Sequence, residues 1–401
     1  MRICDLTQFY SPKSGGVKRY IHEKRRFIER ETQDEHILIV PGKATRLEEQ
    51  GRLKTFTIRS PRVDRTSRYR ILLNTRLVKE YLQEAQPDII EAGDPYHLAW
   101  TAIEMGRKLN VPVVGFYHSH FPDAYLRTLR RYIGRWLHRK VMRWCEAYIV
   151  KLYSKMSRTF VPSDHLRALL QRWGMRNAVT MQLGVDTHNF YPDAPDLIWK
   201  DQLGIPADAH VLLYIGRLAK EKNIETLLEA AELLFRDADR HYWLVIVGDG
   251  PLRPLVKHYQ DKTGQIVWRS YVNESNVLAR YYRCADLFVH PGVCETFGLV
   301  TLEAQACGCP VLGIRGTYMD ANVFGGHEYW ARTNSAYALA EAIENIFNKD
   351  LVAIGAEAAR EVHERMSWTK VFSHLWSQYH AVLAENKREK ELFSFSSETT
   401  R

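Results

Sequence analysis

Short apolar runs rich in Val, Ile and Leu alternate along this chain with longer amphipathic runs, and the whole alternation occurs twice. In the first half strands are expected at "RICDL", "HILIV" (36–40), "TFTI", "DIIEAG" (88–93), "VPVVGFYHS" (111–119), "TFVPS" and "AVTMQLG". In the second half they are expected at "HVLLYIG" (210–216), "YWLVIVGDG" (242–250), "QIVWRS", "DLFVHPG" (286–292) and "PVLGI". Near-continuous apolar strands separated by helical segments bury both faces of a sheet, which requires parallel strands with helices on either side. The predicted fold is therefore α/β, with two doubly wound parallel sheets. A length of 401 residues suits two domains. The join falls in 183–210, where Gly, Asp and Pro cluster and periodicity lapses. Beyond 335 the pattern is helical, through "SAYALAEAIENIF" and "WTKVFSHLWSQYHAVLAEN", and the tail "KREKELFSFSSETTR" is expected to fray.

Charge divides the chain in the same place. Residues 1–186 carry 34 Lys+Arg against 19 Asp+Glu, and the remainder 22 against 28, within a total of +9. A basic first half calls for an anionic partner, such as lipid headgroups or a phosphorylated acceptor. The six cysteines show no zinc-type spacing, so neither a disulfide framework nor a metal knuckle is expected, and the thiols suit a reducing compartment. No signal-peptide pattern opens the sequence and no window is apolar over a bilayer-spanning length, so a cytoplasmic protein that can touch a membrane surface is expected.

Ligands of open α/β sheets bind beyond the carboxyl ends of the strands. Three segments lie there. After the first strand, "FYSPKSGGVKRYIHE" brings Gly15 and Gly16 to a helix start, where the backbone can approach an anion, although such a pair also makes simple turns. After "HVLLYIG", Arg217 and Lys222 stand at a helix entrance, where unopposed positive charge is locally unfavourable unless an anion is bound. After "DLFVHPG" comes "VCETFGLVTLEAQACG", which puts the amides of Thr296, Phe297, Gly298 and Leu299 at a helix start, with Glu295 before it and Glu303 inside it. Carboxylates so placed can accept from the vicinal hydroxyls of a ribose or hexose. The alternatives are that Glu295 caps the helix and Glu303 is an exposed helix residue.

The string "HPGVCETFGLVTLEAQACGCPV", together with "GRLAKEKNIETLLEA", "VGDGPL" and "SGGV", closely resembles the nucleotide-sugar-dependent glycosyltransferases of the GT-B fold, specifically the large retaining family numbered four. The resemblance runs from the first strand to about residue 312. It implies two Rossmann-like domains facing across a cleft: residues 1–185 on the acceptor side, 186–367 holding the nucleotide sugar, a helix at 368–386 crossing back to the first domain, and a flexible tail at 387–401. It further implies that Glu303 binds the ribose, that Glu295 with the amides of Thr296, Phe297 and Gly298 holds the sugar, and that Arg217 and Lys222 clamp the diphosphate with help from Gly15 and Gly16. Gly248 in "VGDGPL" and Leu299 belong to the same donor pocket, and Ser270 and Tyr271 in "WRSYV" flank the base. His118 would contact the transferring sugar, with His120 as its rival. His118, Arg217, Lys222 and Glu295 are thus the candidate catalytic residues. No cofactor is implied.

Two features depart from the family pattern: "IRGTYMDANVFGGHEYWA" after residue 313 replaces the usual glycine pair and Pro-Glu segment, and the loop at 269–271 lacks its usual glycine. Cleaving a sugar from a diphosphate leaves a dianion and an oxocarbenium-like ring, so positive charge at the leaving group is required, and Arg217 and Lys222 can supply it without a metal. Asp237-Ala-Asp239 has the form of a metal-binding motif but lies in a polar turn on the wrong edge of the sheet. In 124–148, Leu126, Leu129, Ile133, Trp136, Leu137, Val141 and Trp144 share one helical face and Arg127, Arg131, Arg135 and Arg139 the other. Such a helix can lie on anionic lipid, or pack its apolar face on its own sheet. The expected activity is hexose transfer to a lipid or lipid-linked acceptor. The alternatives are a soluble acceptor or a sugar-nucleotide epimerase; a nucleic-acid partner would leave the two glutamates unexplained.

Overall fold

The computed structural model describes residues 1–8, 10, 16–63, 69–118, 120, 130–236, 240–293, 295, 297–317 and 319–398. Gly15, Thr296, Asp237 and Asp239 lie outside them, as do Leu126, Arg127 and Leu129. The chain forms two units, Met1–Gln182 with Trp368–Arg401, and Leu183–Ser367.

In the first unit the strands are β1 (Arg2–Leu6), β2 (Glu35–Gly42), β3 (Arg46–Gln50), β4 (Leu53–Arg59), β5 (Ile89–Ala92), β6 (Val113–Phe116), β7 (Arg158–Val161) and β8 (Ala178–Thr180). They pair in the order β3-β4-β2-β1-β5-β6-β7-β8. Every pairing is parallel except β3 with β4. The central strands are buried on both faces, as their unbroken apolar runs require. The helices α1 (Gly16–Glu31), α2 (Thr75–Ala85), α3 (His97–Leu109), α4 (Arg130–Tyr153) and α5 (Asp164–Arg172) connect them. Strand β3 is the one strand the sequence does not announce: "RLEEQ" is exposed throughout, lacks an apolar face, and is held as a hairpin edge by β4.

The second unit begins with the short helix α6 (Trp199–Gln202) and alternates β9 (His210–Ile215), α7 (Ile224–Leu234), β10 (Tyr242–Val247), α8 (Arg253–Thr263), β11 (Ile266–Arg269), α9 (Ser275–Cys284), β12 (Leu287–His290), α10 (Leu299–Ala306) and β13 (Val311–Gly313). The sheet order is β11-β10-β9-β12-β13, all parallel. Helices α11 (Ala336–Phe347) and α12 (Leu351–Arg365) close the unit. Ser335 and Asp350 cap them, their side chains accepting from the amides of Ala338 and Ala353.

The last helix, α13, spans Trp368–Glu398 and belongs to the first unit, so the chain returns to the fold it started from. The sequence expectation of fraying from residue 387 is corrected here: helix continues twelve residues further. Tyr379 anchors α13 in a buried polar network. Its hydroxyl accepts from Lys24 Nζ at 2.8 Å and donates to Glu91. Lys24 also meets Asp5 at 2.8 Å and Glu91 at 3.3 Å, and its side chain is fully buried. A buried ammonium is tolerated only when paired and hydrogen-bonded on this scale. Phe27, Phe372 and Trp376 pack around the network with ring centroids 5.0–6.5 Å apart. The five described cysteines are buried and unbonded.

Candidate functional site

In the second unit the sequence-identified segments converge at the carboxyl ends of β9 and β12. β9 runs into Gly216 and Arg217, a 3-10 turn at Lys220–Lys222, and Asn223 in the left-handed conformation (φ 59°). Asn223 Nδ2 donates to the Pro291 carbonyl at 3.0 Å and to Asn334 Oδ1 at 2.7 Å, tying this turn to the loop after β12. The tie sets Lys222 against Glu295, and the two form an ion pair with side chains 27% and 17% exposed. His290, the last residue of β12, lies on the other side of Glu295, its Nε2 3.8 Å from Oε1. The Gly292 amide donates to His290 Nδ1 at 3.2 Å, so the neutral ring carries its proton on Nε2, toward the carboxylate. Burial holds the His290 imidazole down to about 4. Burial alone would raise the Glu295 carboxyl, but the Lys222 ammonium, with His290, holds it below the ordinary carboxylate range. The site is therefore a partly buried Lys⁺–Glu⁻ pair with a buried neutral imidazole.

Arg217, 63% exposed, reaches Glu221 at 3.7 Å, and its carbonyl accepts from Tyr214 Oη at 3.1 Å. Its guanidinium is thus lightly held and its backbone fixed. Gly248 follows β10 at φ 153°; a Cβ there would lie 1.9 Å from the Gly216 carbonyl oxygen, so only glycine lets these two loops touch. Trp268 Nε1 donates to the Gly248 carbonyl at 3.0 Å, with Lys257 Nζ over its ring at 5.1 Å. Ser270 and Tyr271 are exposed just beyond β11, and the Tyr271 hydroxyl donates to Asn273 at 3.0 Å.

Helix α10 starts at Leu299 after Gly298, whose left-handed backbone (φ 81°) provides no side-chain cap. Leu299 at the first helical position is half-buried. The Phe297 carbonyl accepts from Asn322 Nδ2 at 3.2 Å, and Gln305 Nε2 donates to the Asn322 carbonyl at 3.0 Å, so the loop before the helix is pinned from beneath. Glu303 is not the exposed helix residue of one alternative. It is 3% exposed, and its Oε2 accepts from Tyr282 Oη at 3.0 Å. Tyr282, Asn223, His290 and Asn322 are site residues that sequence reading did not single out. Of these, only His290 had a visible signal, its place at the end of an apolar strand before Pro-Gly.

In the first unit, Gly16 is the exposed first residue of α1. His118 follows β6, half-buried, its ring stacked on Phe116 at 4.1 Å and edge-on to Tyr20 at 4.9 Å. Burial pushes its imidazole down to about 3, with Lys24 adding to the effect. His120 is 4% exposed and its Nδ1 is engaged by the Tyr117 hydroxyl at 3.0 Å. Of the two rivals, His118 is the more accessible ring. Helix α4 departs from the expected amphipathic helix: Gly134 (φ 72°) interrupts it. Beyond that break, Trp136, Leu137 and Trp144 are 65%, 43% and 68% exposed, while Cys145, Ile149 and Leu152 carry the packing. Lys140 Nζ lies 3.9 Å above the Trp136 ring. Of the face expected to pack, Trp136, Leu137 and Trp144 are exposed and Val141 is half-buried; the buried residues of α4 lie beyond it. A shallow depression beyond β2 and β4 is lined by Lys43, Arg59, Ser60, Pro61 and Arg70.

Residues 196–365 match the family model described as glycosyl transferases group 1, and residues 14–189 the model described as glycosyltransferase family 4. The chain is similar to a GDP-mannose-dependent alpha-(1-6)-phosphatidylinositol dimannoside mannosyltransferase of Mycobacterium tuberculosis, at 27% identity over 87% of this chain and 88% of that one. It is 26% identical to an alpha-monoglucosyldiacylglycerol synthase of Streptococcus pneumoniae, over 91% and 85% of the two chains. Among solved structures, a sucrose-phosphate synthase from Thermosynechococcus elongatus superposes with a TM-score of 0.73 at 20% identity, covering 96% of this chain and 99% of that one. The Anabaena protein HepE in complex with UDP-glucose superposes at 0.70, with 17% identity and 95% and 100% coverage.

Proposed function

Because the chain belongs to the group 1, family 4 glycosyltransferases of GT-B fold, and is therefore a sugar-transferring enzyme, we propose that its second unit binds a nucleotide diphosphate hexose and that the hexose passes to a lipid or lipid-linked hydroxyl with retention of configuration. The observation that carries the donor half of this reading is the Lys222–Glu295–His290 group at the ends of β9 and β12. The amides before α10 and the neutral His290 N–H supply donors to sugar hydroxyls, and Glu295 accepts from them. As the bond to the diphosphate breaks, charge grows on the leaving oxygens, and Lys222 with the lightly held Arg217 meets it. Glu303, fixed by Tyr282, accepts from the ribose. The enzyme's own cations neutralise the diphosphate, so EDTA leaves the rate unchanged.

The acceptor half rests on other features. The names of both relatives given above specify lipid products or substrates. The first unit presents two exposed tryptophans on a basic helix and a depression whose charged lining residues, Lys43, Arg59 and Arg70, are all cationic. Among the described residues no helix is long and apolar enough to cross a membrane, so contact with lipid would be from the surface. Incubation with UDP- and GDP-hexoses and extracted lipid tests the whole reading. Radiolabel moving from donor to lipid supports it; nucleotide-sugar epimerisation without transfer replaces it.

A further inference from the structure

The order of strands in the first unit reverses between β1 and β5: the chain leaves β1 for β2 on one side and later returns to pair β5 on the other. Such a switch point opens a crevice beyond the two carboxyl ends. Two polar residues follow the strands that flank this switch point, Gln8 two residues past β1 and Asp94 two residues past β5. They are 7% and 3% exposed. The backbone N–H of Gln8 donates to Asp94 Oδ2 at 2.5 Å, and the Thr7 hydroxyl to the same oxygen at 3.3 Å. Among the described residues, the other carboxylate oxygen, Asp94 Oδ1, and Gln8 Oε1 are both buried without a partner at hydrogen-bond distance and angle.

Buried polar atoms are nearly always paired, and each exception calls for a cause. Here two exceptions come from residues bonded to one another, and both are acceptors. What is missing is donors. The surroundings are dry: burial pushes the Asp94 carboxyl up to about 6, although the backbone N–H of Gln8, the Thr7 hydroxyl, His97 and the backbone N–H of Tyr96 pull it back. A hydrogen bond made in such a place is stronger than one made in water. The next strand along the same edge is β6, which delivers His118. We propose that Asp94 and Gln8 receive two hydroxyls of the acceptor, so that the acceptor's reacting end is a polyol or pyranoside ring. The inference rests on the transferase reading and on the first unit taking the acceptor. It makes Asp94 and Gln8 residues of acceptor specificity; neither takes part in donor binding.

The test uses the full chain, ligand-observed NMR titrations with myo-inositol and with methyl α-D-mannopyranoside, and parallel titrations with UDP- and GDP-hexoses. Asp94→Asn keeps an acceptor for the backbone N–H of Gln8 and puts an amide donor where the other oxygen was. Gln8→Met removes Oε1 at nearly constant volume. The expected result is polyol binding to the wild type that weakens about tenfold or more in each variant, with nucleotide-sugar binding unchanged. The Tm of Gln8→Met equals or exceeds that of the wild type, since an unsatisfied acceptor has gone. Should Asp94→Asn fail to fold, Gln8→Met decides alone. The proposal is overturned if neither polyol binds the wild type at ~100 mM, or if the variants bind it as the wild type does. A protein that binds a nucleotide sugar yet shows either of those results loses this inference only; one that binds no nucleotide sugar loses the transferase reading itself.

Discussion

Lys222, Glu295 and His290 place three titratable groups within reach of one another, and their charges determine what the site can hold. Replacing Glu295 by Gln keeps the shape and removes the counter-charge of Lys222, so kcat/KM is expected to fall by about 10² to 10³, the usual cost of losing one preorganised polar contact to the reacting group. Steady-state kinetics on the variant checks this; a loss under threefold would remove Glu295 from the site. His290 also makes a prediction about stability. Its folded value of about 4 lies below the ordinary 6.5, so the unfolded chain binds the proton more readily. Stability from this group is fully present above pH 6.5 and is lost as pH falls through the interval toward 4. Urea midpoints measured across that interval are expected to fall, and to fall less in His290→Gln. Tyr282→Phe removes the 3.0 Å bond, whereas Glu303→Gln keeps an acceptor for it but removes the charge; both should weaken donor binding, the latter by more. The sequence made both glutamates visible because their spacing within one short string is informative. It could not show Tyr282, 21 residues upstream, or Asn223, whose partner Asn334 is 111 residues away, since such pairings exist only after the sheet has assembled.

Among the elements, two helices behave differently from what periodicity alone indicates. In α4, Trp136, Leu137 and Trp144 are exposed while Cys145, Ile149 and Leu152 are buried and Tyr153 lies beside Gly115 of β6; periodicity cannot tell a packed face from an exposed one. The double substitution Trp136→Ser, Trp144→Ser is expected to weaken binding to vesicles of anionic phospholipid at least tenfold, without lowering Tm, since both rings are mostly in solvent. Sedimentation with vesicles measures it, and unchanged sedimentation would dismiss α4 as the contact. Helix α13 continues to Glu398 although its last third is polar. It is anchored further back, by Tyr379. Tyr379→Phe leaves Lys24 and Glu91 buried with one partner fewer, and is expected to cost about 1–3 kcal/mol by urea unfolding. The strands were legible in place and order, with ends off by up to about four residues, since two-sided burial leaves an unbroken apolar run. β3, exposed along its whole length, had no such run to show.

At the scale of the molecule, charge follows the two units. The unit made of Met1–Gln182 and Trp368–Arg401 carries 39 Lys+Arg against 22 Asp+Glu, and Leu183–Ser367 carries 17 against 25. The second unit is thus acidic overall, and on the proposed reading it would meet an anionic ligand only through a few placed groups, Arg217, Lys222 and the amides at the start of α10. Salt screens a diffuse field far more than partly buried contacts, so raising salt from ~0.05 to ~0.5 M should abolish vesicle binding while changing donor affinity only modestly. The most direct measurement of the central claim is calorimetric titration of UDP- and GDP-hexoses into the wild type, Lys222→Met and Glu295→Gln. One donor is expected to bind the wild type with micromolar to submillimolar affinity and to raise its Tm, with binding at least tenfold weaker in both variants. Equal affinity in all three proteins, or no binding of any nucleotide sugar to a folded wild type, would contradict it.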